Sequence, residues 1–229
     1  MKPPLRPIQR NSSGLQTTDA EALSDATAVG ESLPDFVRSL QLDFADRVSR
    51  YSRGAVQLSD AWKVLAPVLT ARSAWCAADG YMEQQTLVPS AGARHPLTAL
   101  LLHRAPGELN HRAWAISPSV NPLRFEITDR PAEVDRLLQA TSHAVHDPIA
   151  PSTVVVVLAR FRRTLSKYPD GQSLIWRDAG AFLATSHLIA ATLGLRSCIV
   201  GITETTRFRL RGTADELVDV GALTLSRED

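Results

Sequence analysis

The sequence predicts a single α+β domain. The chain of 229 residues is 44% hydrophobic, so it can form one substantial core but not two full domains. Strand-like and helix-like stretches follow one another without regular βαβ alternation, which favours α+β over a parallel sheet. The strongest strand signal is the β-branched run TVVVVLA at 153–159, which we expect at the centre of the sheet. Residues 1–33 are rich in Ser, Thr, Pro, Asp and Gly, so we expect a flexible N-terminal arm there and the folded domain at 34–229.

The first half of the domain is predicted to contain one helix and three strands. The helix occupies 58–72, with Ser59 as its N-cap and with apolar residues spaced along one face. Pro67 lies inside this stretch and favours a kink or an earlier end. Apolar stretches bounded by turn residues follow, and they predict strands at 97–103, 113–117 and 123–127.

The second half is predicted to contain two helices and the remaining strands. The first helix lies at 130–144, where Pro131 suits the first turn. The second, at 173–193, is apolar on most sides, so we expect it to be deeply buried, and Gly194 is placed to end it. Besides the run at 153–159, short apolar strands are predicted at 197–202 and 217–223.

Composition argues against several classes of function. The 25 Lys and Arg residues are balanced by 24 Asp and Glu, so no basic surface is predicted for nucleic acid. The longest apolar run is shorter than the roughly 20 residues of a membrane helix, and the N-terminus has no apolar signal core, so we expect a cytoplasmic protein without membrane contact. Cys76 and Cys198 are interpreted as reduced, structural thiols. His143, His146 and Asp147 are possible ligands that no further cluster completes, so we predict no metal.

Two stretches contain residues suited to binding a phosphate or a flat ligand. Arg47 and Ser49 combine a guanidinium with a nearby hydroxyl, which suits a phosphate monoester; a solvated basic face is the alternative. In VPSAGARHP at 88–96, two prolines bracket a Ser-Ala-Gly turn, so the backbone can approach a ligand closely. The candidate polar contacts of this loop are Ser90, Arg94 and His95, and an ordinary connection to the next strand is the alternative.

Two further stretches lie in the second half. Lys167, one of only three lysines in the chain, precedes Tyr168. Lysine has an ordinary pKa of about 10.4, which burial or a neighbouring cation lowers, and a tyrosine hydroxyl can relay the proton. An exposed turn residue is the alternative for an isolated pair. LGLRSCIVG at 193–201 combines a helix end, a strand and Gly201, where a backbone N–H can approach a flat cofactor.

Taken in this order, the four stretches resemble the FMN-dependent nitroreductase superfamily, and within it the SagB-type dehydrogenases, which oxidise thiazolines and oxazolines in modified-peptide biosynthesis. The resemblance covers about residues 44–223. Arg47 and Ser49 match the Arg-x-Ser-x-Arg/Lys stretch that contacts FMN, although Tyr51 stands at its third basic position. PSAGARHPL is similar to the subfamily's PSAGxxxPL loop, and the Lys-Tyr pair falls at its catalytic pair. The acidic-Ala-Gly-His pattern that follows has Ala181 in place of the histidine.

The resemblance implies a nitroreductase-like fold, in which helices flank a central, mainly antiparallel sheet. It also implies a homodimer that binds FMN at the subunit interface. Lys167 and Tyr168 would serve as base and proton relay while the azoline ring loses a proton and a hydride, the hydride going to flavin N5. The implied FMN contacts are Arg47 and Ser49 at phosphate or ribityl oxygens, Ser90, Gly92 and Arg94 from the second subunit, Gly201 near N5, and Arg227 as a further phosphate ligand.

The leading hypothesis is an FMN-dependent azoline dehydrogenase that acts on a modified precursor peptide or a carrier-tethered peptide, with a cyclodehydratase as a candidate partner. One alternative is a general NAD(P)H-dependent reductase of nitro or quinone compounds, which does not need the Lys-Tyr base. Another is a flavin-free scaffold subunit of a biosynthetic complex, suggested by the departures at Tyr51 and Ala181 and by the short C-terminal tail. The segments 73–87 and 203–215 are candidate walls of the substrate pocket, and they do not specify the substrate.

Overall fold

The computed structural model describes residues 49–203, 205–208 and 215–228. The predicted arm at 1–33 and Arg47 lie outside these residues. The helices are α1 (Leu58–Leu69), α2 (Pro131–Ala144), α3 (Phe161–Leu165) and α4 (Gln172–Thr192). The strands are β1 (Ala71–Cys76), β2 (Met82–Thr86), β3 (Leu97–His103), β4 (Arg112–Ile116), β5 (Arg124–Glu126), β6 (Thr153–Ala159), β7 (Arg196–Val200), β8 (Arg207–Phe208) and β9 (Leu217–Ser226).

The centre of the molecule is an antiparallel sheet with the strand order β5-β4-β3-β6-β9-β7, and β8 also pairs with β9. Strand β6 lies between β3 and β9, and all seven of its residues are buried. A continuous apolar run suits a strand that is covered on both faces, whereas a strand with one wet face alternates polar and apolar residues. The predicted position of TVVVVLA is therefore confirmed.

Two hydrophobic cores cover the two faces of this sheet. One face packs against α1 and α4, which contribute Leu65 and Phe182, and the other packs against α2, which contributes Leu137. Successive residues of a strand point to opposite faces, so β6 supplies both cores. Val155 and Val157 enter the first core, and Val154 and Val156 enter the second.

Gly221 lies at a close approach of α4 to the sheet. It belongs to β9, has a φ of 144°, and a Cβ added there would lie 2.8 Å from Leu183 Cδ1. The pairing of β6 with β9 shifts register between Val156 and Leu158, next to this glycine. A side chain at this position would require the end of the Leu183 side chain of α4 to shift, and the positive φ itself favours glycine.

Most predicted elements are confirmed, but the first helix differs in its ends. Helix α1 begins at Leu58 after Gln57, which makes no side-chain cap, so Ser59 is not the N-cap that we expected. The helix ends at Leu69, and Pro67 lies within its last turn. The proline therefore leaves the helix intact almost to its end, and the predicted extension to residue 72 is wrong, since that segment enters β1.

The β1–β2 hairpin was not predicted as secondary structure. Its strands form a separate two-stranded sheet, and every residue of β1 after Ala71 is exposed. A hairpin outside the core carries no alternation of buried apolar residues, so its sequence gives no clear strand signal. Strand β9 is also longer than predicted, since it continues to Ser226.

Both cysteines are free. Cys198 is partly buried, but Cys76 is exposed on the hairpin, so the interpretation of Cys76 as a structural thiol is wrong. Among the described helices, none has the length and apolar character needed to cross a lipid bilayer.

Candidate active site

The loop PSAGARH, which joins β2 to β3, has a strained backbone. It contains a short 3-10 turn, and φ is positive at Gly92 (59°), Ala93 (58°) and His95 (43°). Glycine adopts this left-handed region freely, whereas each non-glycine residue there costs about 1–2 kcal/mol. A loop with two such residues, separated only by Arg94, needs contacts from the rest of the fold to hold its shape.

Asp178 of α4 provides those contacts. Its Oδ2 accepts a 2.6 Å hydrogen bond from the Ser90 hydroxyl, and its Oδ1 accepts one of 3.2 Å from the Ala91 N–H. The Ser90 Oγ in turn accepts a 2.9 Å hydrogen bond from the His95 N–H. Burial raises the pKa of Asp178, and the two hydrogen bonds to its carboxylate oppose that rise. Ser90 and Asp178 therefore fix the conformation of the loop.

Lys167 and Tyr168 lie against this loop. They follow α3, and Lys167 Nζ donates a 3.3 Å hydrogen bond to the carbonyl oxygen of Gly92, 75 positions away in sequence. A Cβ added to Gly92 would lie 2.6 Å from Tyr168 Oη and 3.0 Å from Lys167 Nζ. Only glycine leaves room for the pair at this point. Two of the four predicted motifs therefore meet in one place.

The hairpin adds a carboxylate to the pair. Glu83 of β2 accepts a 2.7 Å hydrogen bond from Lys167 Nζ on Oε1 and one of 2.9 Å from the Trp75 indole on Oε2. The bond from Lys167, followed by that from Trp75, lowers the pKa of Glu83. Sequence reasoning missed Glu83, because nothing in MEQQT marks it as a partner of a lysine 84 positions later.

Arg94 points into the hairpin. Its side chain is 3% exposed, and its two terminal nitrogens lie 3.0 and 2.6 Å from the two carboxylate oxygens of Asp79. Its guanidinium also stacks over Tyr81, 5.5 Å from the ring centroid, and its Nε lies 3.8 Å from Glu83 Oε1. This bidentate pair between a buried guanidinium and an exposed carboxylate fixes the hairpin to the loop. The guanidinium is thereby engaged within the subunit, and the FMN contact implied for Arg94 stays a prediction.

The other predicted cofactor residues that the structure describes form a second group, beside β7. Ser49 is exposed and bridges to Ser197 at the start of β7. Gly201 directly follows β7; it is exposed, and a Cβ there would meet nothing within 4 Å. Arg227 lies just after β9 and donates a 2.6 Å hydrogen bond to Asp60 Oδ2 of α1. These three residues surround an edge strand of the sheet.

The departure at Tyr51 has a structural explanation. The Tyr51 hydroxyl donates to Asp147 Oδ2 at 3.1 Å, and Arg53 binds both oxygens of the same carboxylate at 2.6 and 2.8 Å. The pKa of Asp147 is lowered to about 2, mainly by the hydrogen bond from Arg53 and next by the one from the Ile149 N–H. The pKa of Tyr51 is raised to about 12, mainly by burial and next by the hydrogen bond to Asp147. Tyr51 and Arg53 therefore anchor the segment that carries Ser49 to the loop after α2.

The two groups of predicted residues are held at different points along α4. Asp178 contacts the loop at Ser90, whereas His187 Nδ1 lies 2.5 Å from Ser197 Oγ beside Ser49. Nine residues of helix separate Asp178 from His187, which corresponds to about 14 Å along the axis. The structure thus brings together Ser90, Gly92, Arg94, Lys167 and Tyr168 in one group, and Ser49, Gly201 and Arg227 in another.

The histidines that we considered as metal ligands lie elsewhere. His143 and His146 border an open depression beside α2, on the opposite face of the sheet from α4. Asp147 is occupied by Arg53 and Tyr51. Within residues 49–203, 205–208 and 215–228, no group of three or more His, Cys, Asp or Glu side chains is arranged to hold a metal ion.

The fold is similar to that of nitroreductase-family structures. A protein of this family from Ralstonia eutropha JMP134 matches 90% of this chain and 86% of its own length, with a TM-score of 0.52 and 14% identity. One from Anabaena variabilis ATCC 29413 matches 84% of this chain, with a TM-score of 0.54 and 19% identity, and this chain spans 43% of its length. A chain of the Escherichia coli microcin synthetase McbBCD complex, solved with truncated pro-MccB17 bound, matches 95% of this chain and 84% of its own length, with a TM-score of 0.54 and 13% identity.

No protein-family profile matches the sequence, and no curated protein matches it. The likeness is therefore one of structure rather than of sequence. The protein has a nitroreductase-like fold, with an antiparallel central sheet between α2 on one face and α1 and α4 on the other. The predicted fold class is confirmed.

Proposed function

We propose that the protein is an FMN-dependent dehydrogenase that oxidises a peptide-derived thiazoline or oxazoline to the aromatic azole. The observation that carries this proposal is the contact of the Lys167–Tyr168 pair with Gly92. It brings the proposed proton-transfer pair against the glycine loop that we propose lines the FMN site. The fold supports an oxidoreductase, since nitroreductase-family proteins share it.

A peptide substrate is supported by one of the structural neighbours. The microcin synthetase complex of E. coli was solved with truncated pro-MccB17 bound, and one of its chains has this fold. At 13% identity this likeness concerns the fold alone. For the present chain we propose a modified precursor peptide or a carrier-tethered peptide as substrate, and a cyclodehydratase as a candidate partner.

Several described residues fit a flavin mononucleotide. The space beside Gly201 is open, as a ring lying against the backbone requires, and the exposed Ser49 hydroxyl can bind a phosphate or ribityl oxygen. Arg227 can bind phosphate once it leaves Asp60. Arg47, outside the described residues, is proposed as a further phosphate ligand. Bound FMN would supply the hydride acceptor.

The roles proposed for the catalytic pair follow from their chemistry. Lys167 takes the proton from the carbon α to the carbonyl of the azoline, and the Tyr168 hydroxyl relays it. An arginine could not replace the lysine, because a guanidinium does not lose its proton in proteins. Ser90, Asp178 and Arg94 hold the loop and hairpin around the pair.

We propose that the active protein is a homodimer. The group around Gly92 and the group around Gly201 are held about 14 Å apart along α4. A second subunit related by twofold symmetry can bring its Gly92 loop beside the Gly201 group of the first. The edge strand β7, with Ile199 42% exposed, is available for such a contact.

The test begins with the absorption spectrum of the purified protein, before and after incubation with FMN. We expect a flavin band and then oxidation of an azoline-containing peptide. The Lys167→Ala variant should keep the flavin and lose the oxidation. Arg112→Ala is the matched control, because it also breaks an exposed ion pair, with Glu126, at the far end of the sheet. Wild-type turnover by Lys167→Ala would remove the lysine from the mechanism.

Two other outcomes identify the alternatives. Rapid flavin reduction by NAD(P)H without any azoline oxidation would indicate a reductase of nitro or quinone compounds. A colourless protein that takes up no FMN would indicate a scaffold subunit. The second alternative has a structural basis, because Tyr51 and Arg227 are both committed to carboxylates of the same chain.

A further inference from the structure

We propose that Glu83 is the proton acceptor of Lys167, so that the hairpin determines when the lysine becomes a base. This inference rests on the proposed function, since it concerns how the pair at the same site is activated. Glu83 acts through Lys167 and is therefore a positioning residue.

The geometry provides a direct path for one proton. Lys167 Nζ lies 2.7 Å from Glu83 Oε1, a short charge-assisted hydrogen bond. The other carboxylate oxygen is held by the Trp75 indole at 2.9 Å, so the carboxylate cannot rotate away freely. The lysine ammonium also donates to the Gly92 carbonyl at 3.3 Å, which fixes it at the loop where the substrate ring would lie.

The Lys167–Glu83 pair lies at the protein surface and is partly exposed to water. The Lys167 side chain is 36% exposed and that of Glu83 is 13% exposed. In this state the ion pair is the stable form, because ordinary lysine and glutamate pKa values differ by about 6 units. A lysine in that form carries its proton and cannot accept another. Something must therefore remove the proton before Lys167 can act.

Exclusion of water from the Lys167–Glu83 pair would promote transfer of the proton from Lys167 to Glu83. Full burial disfavours both charged forms and moves each pKa by up to about 3–5 units, in opposite directions for the two groups. The two shifts act against the gap of about 6 units and against the attraction between the two charges. A peptide that covers the exposed part of Lys167 would thus shift the balance from the ion pair toward the neutral amine and carboxylic acid.

The proton balance is simple. First the N–H bond of Lys167 breaks and an O–H bond forms on Glu83, without any change in oxidation state. The neutral amine then takes the α-proton of the azoline, and the electrons of that C–H bond remain with the ring carbon. Glu83 finally releases its proton to solvent when the product leaves. The substrate has then lost one proton, and its hydride has gone to the flavin acceptor of the proposed function.

Other charged groups around the pair keep the carboxylate in place. Arg94 Nε lies 3.8 Å from Glu83 Oε1, and Arg94 is itself paired with Asp79. Further polar groups among the described residues here are Ser166, which donates to Asp79 at 3.1 Å, Arg163 of α3, which donates to the carbonyls of Arg94 and Met82, and the Tyr168 ring, 5.9 Å from the ammonium. Glu83 is the carboxylate in direct contact with Lys167.

The rarity of lysine makes the coupling measurable. The chain has three lysines, so a protein labelled with carbon-13 at lysine Cε gives three signals, and Lys167→Arg identifies one of them. We expect Glu83→Gln to move the Lys167 signal from its wild-type position, because the ammonium loses its carboxylate partner at 2.7 Å. Ser73→Ala is the control: it removes the Ser73–Gln85 hydrogen bond of the same hairpin but keeps Glu83 and Trp75, and it should leave the Lys167 signal in place. A Lys167 signal at the same position in wild type and Glu83→Gln would overturn the proposal.

A kinetic measurement tests the acceptor role itself. With the flavin-loaded enzyme and an azoline peptide, Glu83→Gln should lower kcat at least about tenfold with little change in KM, and Glu83→Asp should restore part of it. Equal pH profiles of kcat for wild type and Glu83→Gln would contradict an acceptor. Failure of the wild type to oxidise any azoline would instead contradict the proposed function, and the position of the Lys167 signal would still decide whether Glu83 is coupled to Lys167.

Discussion

The Ser90 hydroxyl donates a 2.6 Å hydrogen bond to Asp178 Oδ2, across 88 positions of sequence. This bond connects the loop before β3 to the buried side of α4, and the Ala91 N–H adds a second bond to the same carboxylate. Two strained residues in the loop, Ala93 and His95, keep their positive φ because this anchor holds both ends. The acidic residue of the helix and the glycine loop thus form one structural unit.

Removal of the Asp178 carboxylate should destabilise the folded protein. Asp178→Ala leaves the Ser90 hydroxyl and the Ala91 N–H without their acceptor, which costs about 1–3 kcal/mol in the free energy of unfolding. Asp178→Asn keeps one carbonyl acceptor and should lose less. Urea denaturation measures both, and an Asp178→Ala protein with the wild-type midpoint would show that the carboxylate does not hold the loop.

Gly92→Ala should lower the free energy of unfolding more than an alanine substitution at another glycine that has a positive φ but open space around it. The new Cβ meets Tyr168 Oη at 2.6 Å and is also in the left-handed region, with a φ of 59°. Gly80→Ala is the matched control, because Gly80 has a φ of 83° and nothing within 4 Å of an added Cβ. Both variants should lose about 1–2 kcal/mol from strain, and Gly92→Ala should lose more and also displace the Lys-Tyr pair. Equal unfolding free energies for the two variants would mean that the space at Gly92 is not restrictive.

The Arg53–Asp147 pair predicts a specific sensitivity to acid. The pKa of Asp147 is lowered from 3.8 to about 2, so its contribution to stability is fully present above the ordinary value and is lost as the pH falls toward 2. Asp147→Asn should therefore be less stable than wild type at neutral pH and converge with it in acid. Thermal unfolding at a series of pH values tests this, with the exposed Asp170→Asn as control. A constant difference between Asp147→Asn and wild type at every pH would exclude the linkage.

Arg227 and Asp60 should affect FMN affinity in opposite directions. If Arg227 binds the phosphate, Arg227→Ala removes a charge-assisted hydrogen bond and should weaken FMN binding by about tenfold or more. Asp60→Asn releases the guanidinium from its 2.6 Å ion pair and should strengthen binding. Fluorescence titration with FMN measures both. Unchanged affinity in both variants would remove Arg227 from the set of phosphate ligands.

The sequence predicted the secondary structure best where the local pattern of residue types matches their burial in the fold. The β-branched run at 153–159 became the central strand β6, and Gly194, with a φ of 67°, follows the long helix α4 as predicted. In both cases the chain itself carries the cause, either a continuous apolar run or a residue free to adopt a left-handed conformation.

Other features depend on contacts between distant residues and could not be predicted from one sequence. Glu83 meets Lys167 only because an exposed hairpin folds over the site, and the outward strands of that hairpin lack an apolar alternation. Tyr51 departs from the pattern of the resembled family because Asp147, 96 positions away, accepts its hydroxyl. The order of the motifs predicted that the glycine loop and the Lys-Tyr pair serve one site, but not that Arg94 turns into the hairpin.

The most direct test of the proposed activity is a single-turnover experiment without oxygen. The FMN-loaded protein is mixed with an azoline-containing peptide, and the flavin absorption band is followed together with the mass of the peptide. We expect bleaching of the band and a loss of two hydrogens from the peptide, both absent in Lys167→Ala with its flavin retained. A flavin band that stays unchanged with azoline peptides but bleaches with NAD(P)H would contradict the proposed azoline dehydrogenase activity.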